Sequence, residues 1–488
     1  MVDTASGTQR RTGLMLALLA FAQFIVAVDY NIVFVALPEI GSALGFTAQS
    51  LQWVVSAYAV AFGGFLLFGG RLVDRLGGRR LFIAGLVIFG LSCLLGGFAE
   101  SPALLITARA IQGFGGALLT PATLNLIYTR FEEGAPRNKA LAVWGACGSG
   151  GLAAGALLGG VLTDAWGWEW VLFVLVPMAL LAAVLSPGIL SADAPAAGDQ
   201  GGFDAVGAIL ATAGSSLLVL GLVSGPEAGW GSLRGAGAIV AGVVILAVFA
   251  LVETKTANPL VPMRLFGNRS LVTAILIILV FQSALGGAYY IFTIYVQGVL
   301  GYDALQAGLA FIPLTIISMA ASLKLAGALL GKWGPKGTLF FGMAVNGVGM
   351  IVLAVAMSTN ASFWALVPGL IVWGIGGGVT FPAMFACAAS GVAPQEAGIA
   401  SALASTAQQI GGAAGLAVLV AIATAGLNGD AGAVQNVSDV ADGLRTAMWI
   451  GGAASVIGGL LAFTLKPAGA AAPETVAAGL ADEVRVKI

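Results

Sequence analysis

Histidine does not occur anywhere in the 488 residues, so proton chemistry would have to run on carboxylates. Charge of either sign is scarce. Asp, Glu, Lys and Arg together make up 9% of the chain, against roughly 25% in soluble domains. That shortage excludes an ordinary water-soluble surface. A net charge of −1 offers no basic field for a nucleic acid. Cysteine appears three times, as Cys93, Cys147 and Cys387, each inside an apolar run. They read as small core residues and imply no disulfide framework. The pattern G-x-x-x-x-G-K-[ST] is missing, which argues against ATP-driven chemistry. The chain is expected not to be an enzyme and to use neither cofactor nor metal.

What the chain has in abundance is apolar length. Hydrophobic residues form 59% of it and the mean hydropathy is +0.99. These values indicate an integral membrane protein. Arg10 and Arg11 precede an apolar run that continues to about Leu37. That is too long for the 7–15-residue core of a cleaved signal peptide, so it reads as a first span. A span needs about 20 mostly apolar residues. Fourteen are expected: 13–37, 50–69, 81–99, 103–129, 139–162, 168–188, 205–224, 236–252, 270–298, 305–330, 337–357, 362–389, 397–426 and 444–465. With both termini inside, 17 of the 21 Lys and Arg fall in cytoplasmic segments. Arg234 and Arg445 fall outside, and Arg109 and Lys324 fall within spans. This positive-inside bias sets the expected topology, a multi-pass protein of the cell membrane.

Stretches from the two ends of the chain resemble each other. QGFGGALLTPAT (112–123) matches WGIGGGVTFPAM (373–384) at an offset of 261, with three glycines and a proline in register. GRLVDRLGGR (70–79) pairs weakly with GALLGKWGPK (327–336), and GLAAG (151–155) pairs with GGAAG (411–415). The expected organisation is a first six-helix bundle over 1–190 and a segment, 191–269, holding a linker and two extra spans. A second six-helix bundle over 270–466 follows, with a disordered cytoplasmic tail over 467–488. Repeats of this kind build secondary transporters whose substrate site lies between the halves.

One acid interrupts the apolar run QFIVAVDYNIVFVALP (23–38). An ionised, unpaired Asp29 would cost several kcal/mol there, so it needs a partner and a purpose. Arg109 is seven residues past Pro102 and Asp29 nine before Pro38. At 1.5 Å per residue they sit roughly 10 and 13 Å below the same membrane face. Both are expected to face the central cavity.

GRLVDRLGGRR (70–80) joins the second and third spans. Gly70 and Gly77 permit close packing and a tight turn. Asp74 can accept from backbone N–H groups at a neighbouring helix start or pair with Arg75 and Arg79, and Arg80 adds charge. The stretch resembles the loop signature of the major facilitator superfamily, with Gly78 where that family usually has a basic residue. VDYNIVFVALPEI (28–40) is similar to the first-span motif of the fourteen-span drug:proton antiporters, except that Asn31 and Phe34 replace the usual Thr and Asn. ITARAIQGFGGALLTPA (106–122) and GIASALASTAQQIGGAAG (398–415) resemble the fourth-span motif and its second-half counterpart. GSGGLAAGALLGG (148–160) resembles the exporter motif of span 5, with Ala156 in place of its Pro. Its glycines at 151, 155 and 159 form a small-xxx-small packing face. In WGWEWVLFVLVP (166–177), Glu169 and Leu175 stand where the family commonly has Arg and Asn.

The resemblance implies an all-α membrane protein of the major facilitator fold, two six-helix bundles plus two inserted helices. It implies a monomeric, proton-coupled antiporter that expels drugs, antibiotics or other hydrophobic molecules. Protons couple through Asp29 and Arg109. The expected cavity residues are Gln112, Trp144, Phe281, Gln282, Tyr289, Phe292, Trp373 and Phe381, with Lys324 either reaching to the interface or taking a substrate or pairing role. The lack of deep acids in the second half argues against dications and for bulky amphiphiles, lipid-like molecules included. Two alternatives stay open: a proton symporter, which Ala156 favours, and a non-transporting sensor, which the buried charges disfavour.

Overall fold

The computed structural model describes residues 2–46, 51, 53–193, 204–302, 304–390, 392–424 and 437–465. Most of the expected linker and all of the expected tail lie outside these residues. The described residues are helical, without strands.

Fourteen helices follow in order: α1 (Val2–Leu44), α2 (Trp53–Leu76), α3 (Gly78–Gly97), α4 (Pro102–Arg130), α5 (Ala135–Trp166), α6 (Trp170–Ile189), α7 (Ala205–Ala228), α8 (Leu233–Glu253), α9 (Arg269–Val299), α10 (306–333), α11 (335–356), α12 (Phe363–Ala388), α13 (Ala397–Thr424) and α14 (Val437–Thr464). Among the described residues, thirteen helical stretches are long and apolar enough to cross a membrane. The longest, Gln306–Ala356, is two spans, because Gly334 between them takes a φ of +66°. Local chemistry sets several starts. Pro102 opens α4 behind Ser101, whose Oγ accepts from Leu104 N. Asp204 caps α7 through Gly207 N, and Asn268 caps α9 through Ser270 N.

Helices α2, α4, α1 and α5 form one layer, backed by α3 and α6. Helices α13, α9, α12 and α10 form a second layer, backed by α14 and α11. The layers meet along α2–α13 and α5–α10. The inserted helix α7 lies against both α2 and α13, and α8 packs on α7.

Glycine dictates how closely these helices approach, and it does so twice. A Cβ on Gly151, Gly155 or Gly159 of α5 would run into the Phe24, Val28 or Ile32 carbonyl of α1. A Cβ on Gly411 or Gly415 of α13 would meet the Leu279 or Ser283 carbonyl of α9. Gly113 of α4 sits on the Tyr58 carbonyl of α2, and its counterpart Gly374 of α12 sits on the Leu314 carbonyl of α10. Gly115 abuts Phe89 N, and Gly376 abuts Asn346 N. These repeated glycines therefore touch the equivalent helix of their own half. Close backbone approach lets dispersion hold the helices in a medium with little hydrophobic drive.

At the end rich in Lys and Arg, the two halves close on each other. Tyr128 Oη donates to Phe385 O at 3.1 Å, and Ser322 Oγ donates to Ala142 O at 2.8 Å. Ser401 Oγ reaches Pro121 O at 3.3 Å. The Trp144 ring stacks on Phe381 at 5.5 Å and meets Phe385 edge-on at 5.1 Å.

A methyl at Gly376 has no room, so Gly376→Ala should destabilise by about 1–3 kcal/mol. Gly331→Ala in α10 has open space and should be neutral, or stabilising by up to about 1 kcal/mol through helix propensity. Thermal unfolding of the purified variants compares them directly. Equal midpoints would mean that the α11–α12 approach is looser than described.

Candidate functional site

Asp29 and Arg109 touch. Arg109 Nη1 lies 2.7 Å from Asp29 Oδ1, and the side chains are 2% and 0% exposed. Three elements hold this pair. From α4, Gln112 Nε2 donates to the same Asp29 oxygen at 2.9 Å, while its Oε1 accepts from Arg109 Nη1 at 2.6 Å. From α2, the Val54 carbonyl accepts from Arg109 Nε at 3.0 Å, and the Tyr58 ring lies 4.6 Å beneath the guanidinium. From α3, Cys93 Sγ takes the other Gln112 proton at 3.0 Å. All of these groups are dry. Stripped of water, each charge is stable only through the other, so removing one partner strands the second. Among the described residues, Asp29 Oδ2 has no hydrogen-bond partner. A proton can therefore add there while Oδ1 keeps both of its bonds. Three acids are buried among the described residues, Asp29, Glu253 and Glu396. Asp29 alone lies in the interior of a span.

The second half keeps the scaffold and drops the charge. Gly155 rests on the Val28 carbonyl and Gly415 on that of Ser283, so Asp29 corresponds to Ala284. By the 261-residue repeat, Arg109 and Gln112 correspond to Leu370 and Trp373. An aromatic cluster fills that region instead. Tyr289 stacks on Phe311 at 5.3 Å and meets Trp373 at the same distance, and Phe292 packs edge-on against Phe311.

In the 70–80 loop, Asp74 takes the first of its two expected roles. Its Oδ1 accepts from Gly398 N at 2.7 Å and its Oδ2 from Ile399 N at 2.9 Å. These are the first free amides of α13, where the helix dipole favours an anion. Gly70 lets α2 lie against the Gly398 carbonyl. Gly77 turns the chain at a φ of +97°. The Arg79 and Arg80 amides donate to Asp193 at 3.0 and 3.1 Å, so an acid from the expected linker caps α3. Arg79 Nη2 also reaches Pro187 O.

The residues expected to line one cavity fall into separate groups. Gln112 belongs to the ion-pair network. Trp144 and Phe381 close the seam between halves. Tyr289, Phe292 and Trp373 pack with Phe311, a residue that composition alone did not single out. Phe281 is fully buried, and Gln282 is half-buried against Gly411. The burial of these aromatics follows from the closed seam and the tight glycine contacts. Lys324 is exposed on a turn of π-helix in α10. Asn31 Nδ2 donates to Leu152 O at 2.9 Å and so ties α1 to α5, while Phe34 is exposed. Leu175 is buried, and Glu169 precedes α6 without capping it.

The sequence profile of the Major Facilitator Superfamily matches residues 19–416. The chain is 38% identical over 427 residues to the cephamycin export protein CmcT of Amycolatopsis lactamdurans, covering 87% of each chain. It is 38% identical to the puromycin resistance protein pur8 of Streptomyces alboniger, over 84% of this chain and 81% of that one. It is 32% identical to the tetracenomycin C resistance and export protein of Streptomyces glaucescens, over 85% and 76% respectively. Among solved structures, the human organic anion transporter MFSD10 (TETRAN) superposes with a TM-score of 0.63 at 14% identity, over 93% of this chain and 97% of that one. That likeness is one of fold.

The buried pair should behave as a unit. Arg109→Leu leaves the carboxylate stranded and should destabilise by about 3–5 kcal/mol. Adding Asp29→Ala to it should recover part of that loss. A thermal-unfolding double-mutant cycle reads the coupling, and strict additivity would show that the two groups do not depend on each other.

Proposed function

We propose that this chain, which belongs to the Major Facilitator Superfamily, exports amphiphilic small molecules, antibiotics among them, in exchange for protons. The observation that carries this proposal is the dry Asp29–Arg109–Gln112 network, because a chain without histidine has no better proton carrier in a span. Relatives named for cephamycin export and for resistance to puromycin support the substrate class and the direction. They outweigh Ala156, the one feature that favours import.

The steps follow from the charges. The Lys- and Arg-rich end, with both termini, is the cytoplasmic side by the positive-inside bias. The halves are latched at that end, so the captured state is closed to the cytoplasm. A proton from outside adds to Asp29 at Oδ2. That neutralises the acid and weakens its hold on Arg109, which is then free to tighten on Gln112 and the Val54 carbonyl. Loss of the buried charge pair lets α1 shift against α4, and the halves rock. Asp74 leaves the start of α13, and the cytoplasmic side opens. Substrate enters as Asp29 releases its proton inward, and the restored pair favours return. The membrane potential contributes about 2.3 kcal/mol per charge per 100 mV, to which the pH gradient adds. The apolar aromatic cluster of the second half suits a bulky substrate with little charge.

In proteoliposomes with an imposed pH gradient, Asp29→Asn should abolish uphill export while leaving downhill exchange of the same compound measurable. Uphill export at the wild-type rate by Asp29→Asn would overturn the proton assignment.

A further inference from the structure

The two inserted helices have no place in the mechanism above, yet their connector reaches its gate. Residues 254–268 run from the end of α8 to the start of α9, and acids pin the middle and the far part of this connector. At its middle, Glu253 Oε2 accepts from Val261 N at 3.0 Å, and Asp204 Oδ2 accepts from Leu260 N at 3.4 Å. Near the far end, Arg264 forms a two-pronged ion pair with Glu396. Nη2 lies 2.6 Å from Oε1 and Nη1 lies 3.1 Å from Oε2. Asn268 Nδ2 adds a bond to Ser390 O at 3.1 Å. Glu396 is 7% exposed and stands two residues before Gly398, whose amide holds Asp74.

Two physical consequences follow. The planar Arg264 fork, 73% exposed itself, grips a largely buried Glu396 and so restrains the 394–396 turn that leads into the Gly398 and Ile399 amides. It also offsets the negative charge of Glu396, which opposes that of Asp74. Arg71, one turn before Asp74 on α2, acts electrostatically on both Asp74 and Glu253. Through the Glu253–Val261 bond, the connector and the Arg264–Glu396 pair, the inserted hairpin is tied to the helix start that holds Asp74. Helix α7 completes this tie by bridging α2 and α13, with Val219 against Gly63 and Ser216 against Gly64.

We propose that Arg264 is a positioning residue for the gate. Through Glu396 it aims the start of α13 at Asp74, so the inserted helices and their connector brace the closed cytoplasmic side. The proposal rests on the alternating-access reading only in naming the Asp74 contact a gate.

Hydrogen–deuterium exchange of the full-length protein in detergent tests it without any transport substrate. Asp74→Asn should speed exchange of the peptide covering 397–401 by about tenfold, the loss expected for one charge-assisted hydrogen bond. Arg264→Gln should raise exchange in the same peptide by a comparable factor, leaving α9 and α14 at wild-type protection. The charge swap Arg264→Glu with Glu396→Arg should restore protection, which a purely volumetric role would not allow. Unchanged exchange at 397–401 in Arg264→Gln, or a general rise across the second half, would overturn the proposal, as would a swap that restores nothing. In parallel proteoliposome assays, Arg264→Gln should lower turnover while leaving substrate affinity within about twofold. An absence of export by the wild type would sink the export reading and leave the exchange result standing.

Discussion

Burying a carboxylate and a guanidinium together, away from water, is the constraint on which this protein depends. Neither charge is tolerable alone in a dry helix layer. Each must therefore be delivered to the other within hydrogen-bond distance, and the delivery comes from four helices. Helix α1 brings Asp29. Helix α4 brings Arg109 and Gln112. Helix α2 offers a carbonyl and a ring, and α3 offers a thiol. Helices can converge so tightly only where glycine allows backbones to touch. The Gly151–Gly155–Gly159 face on α5 seats α1, and Gly113 and Gly115 seat α4 between α2 and α3. A chain that is 59% hydrophobic and rich in glycine is thus the physical precondition for one polar cluster.

Duplication separates scaffold from chemistry. The second half repeats the glycine contacts helix for helix, and it repeats a proline within the span (Pro121 and Pro382). At the positions of Asp29, Arg109 and Gln112 it has Ala284, Leu370 and Trp373. One half therefore holds a site that can change charge, and the other holds an apolar, aromatic surface. Under the proposed proton exchange, rocking would couple these two unlike halves, so that protonation in one alters what the other presents. The gate is asymmetric in the same way. Asp74 of the first half accepts from the start of helix α13 of the second, and the connector from the inserted hairpin is proposed to steady that contact.

Much of this was legible in the residues. Periodicity and length gave the spans, and the only discrepancy in number arose where Gly334 joins two of them. Counting from Pro38 and Pro102 placed Asp29 and Arg109 at one depth. Depth is a one-dimensional quantity, however, and which helices are neighbours is not written in it. Gln112 therefore looked like a cavity residue, and Cys93 looked like filler, although the two bond to each other. Arg264 and Glu396 are 132 positions apart, and nothing in their spacing pairs them. Asp193 sat in a stretch with no periodicity, so its role as the cap of α3 had no local signal. The aromatic candidates were dispersed for a related reason. Residue type marks a ring as useful for binding or packing alike, and only the closed seam decides which.

The central claim is that Asp29 is the group that binds and releases the coupled proton. Infrared difference spectroscopy of the protein in lipid bilayers, cycled between acidic and alkaline buffer, tests this most directly. Wild-type protein is expected to show a reversible carboxylic-acid C=O band that is absent from Asp29→Asn and retained in Asp74→Asn. A wild-type band that survives unchanged in Asp29→Asn would place the proton on another group and contradict the account.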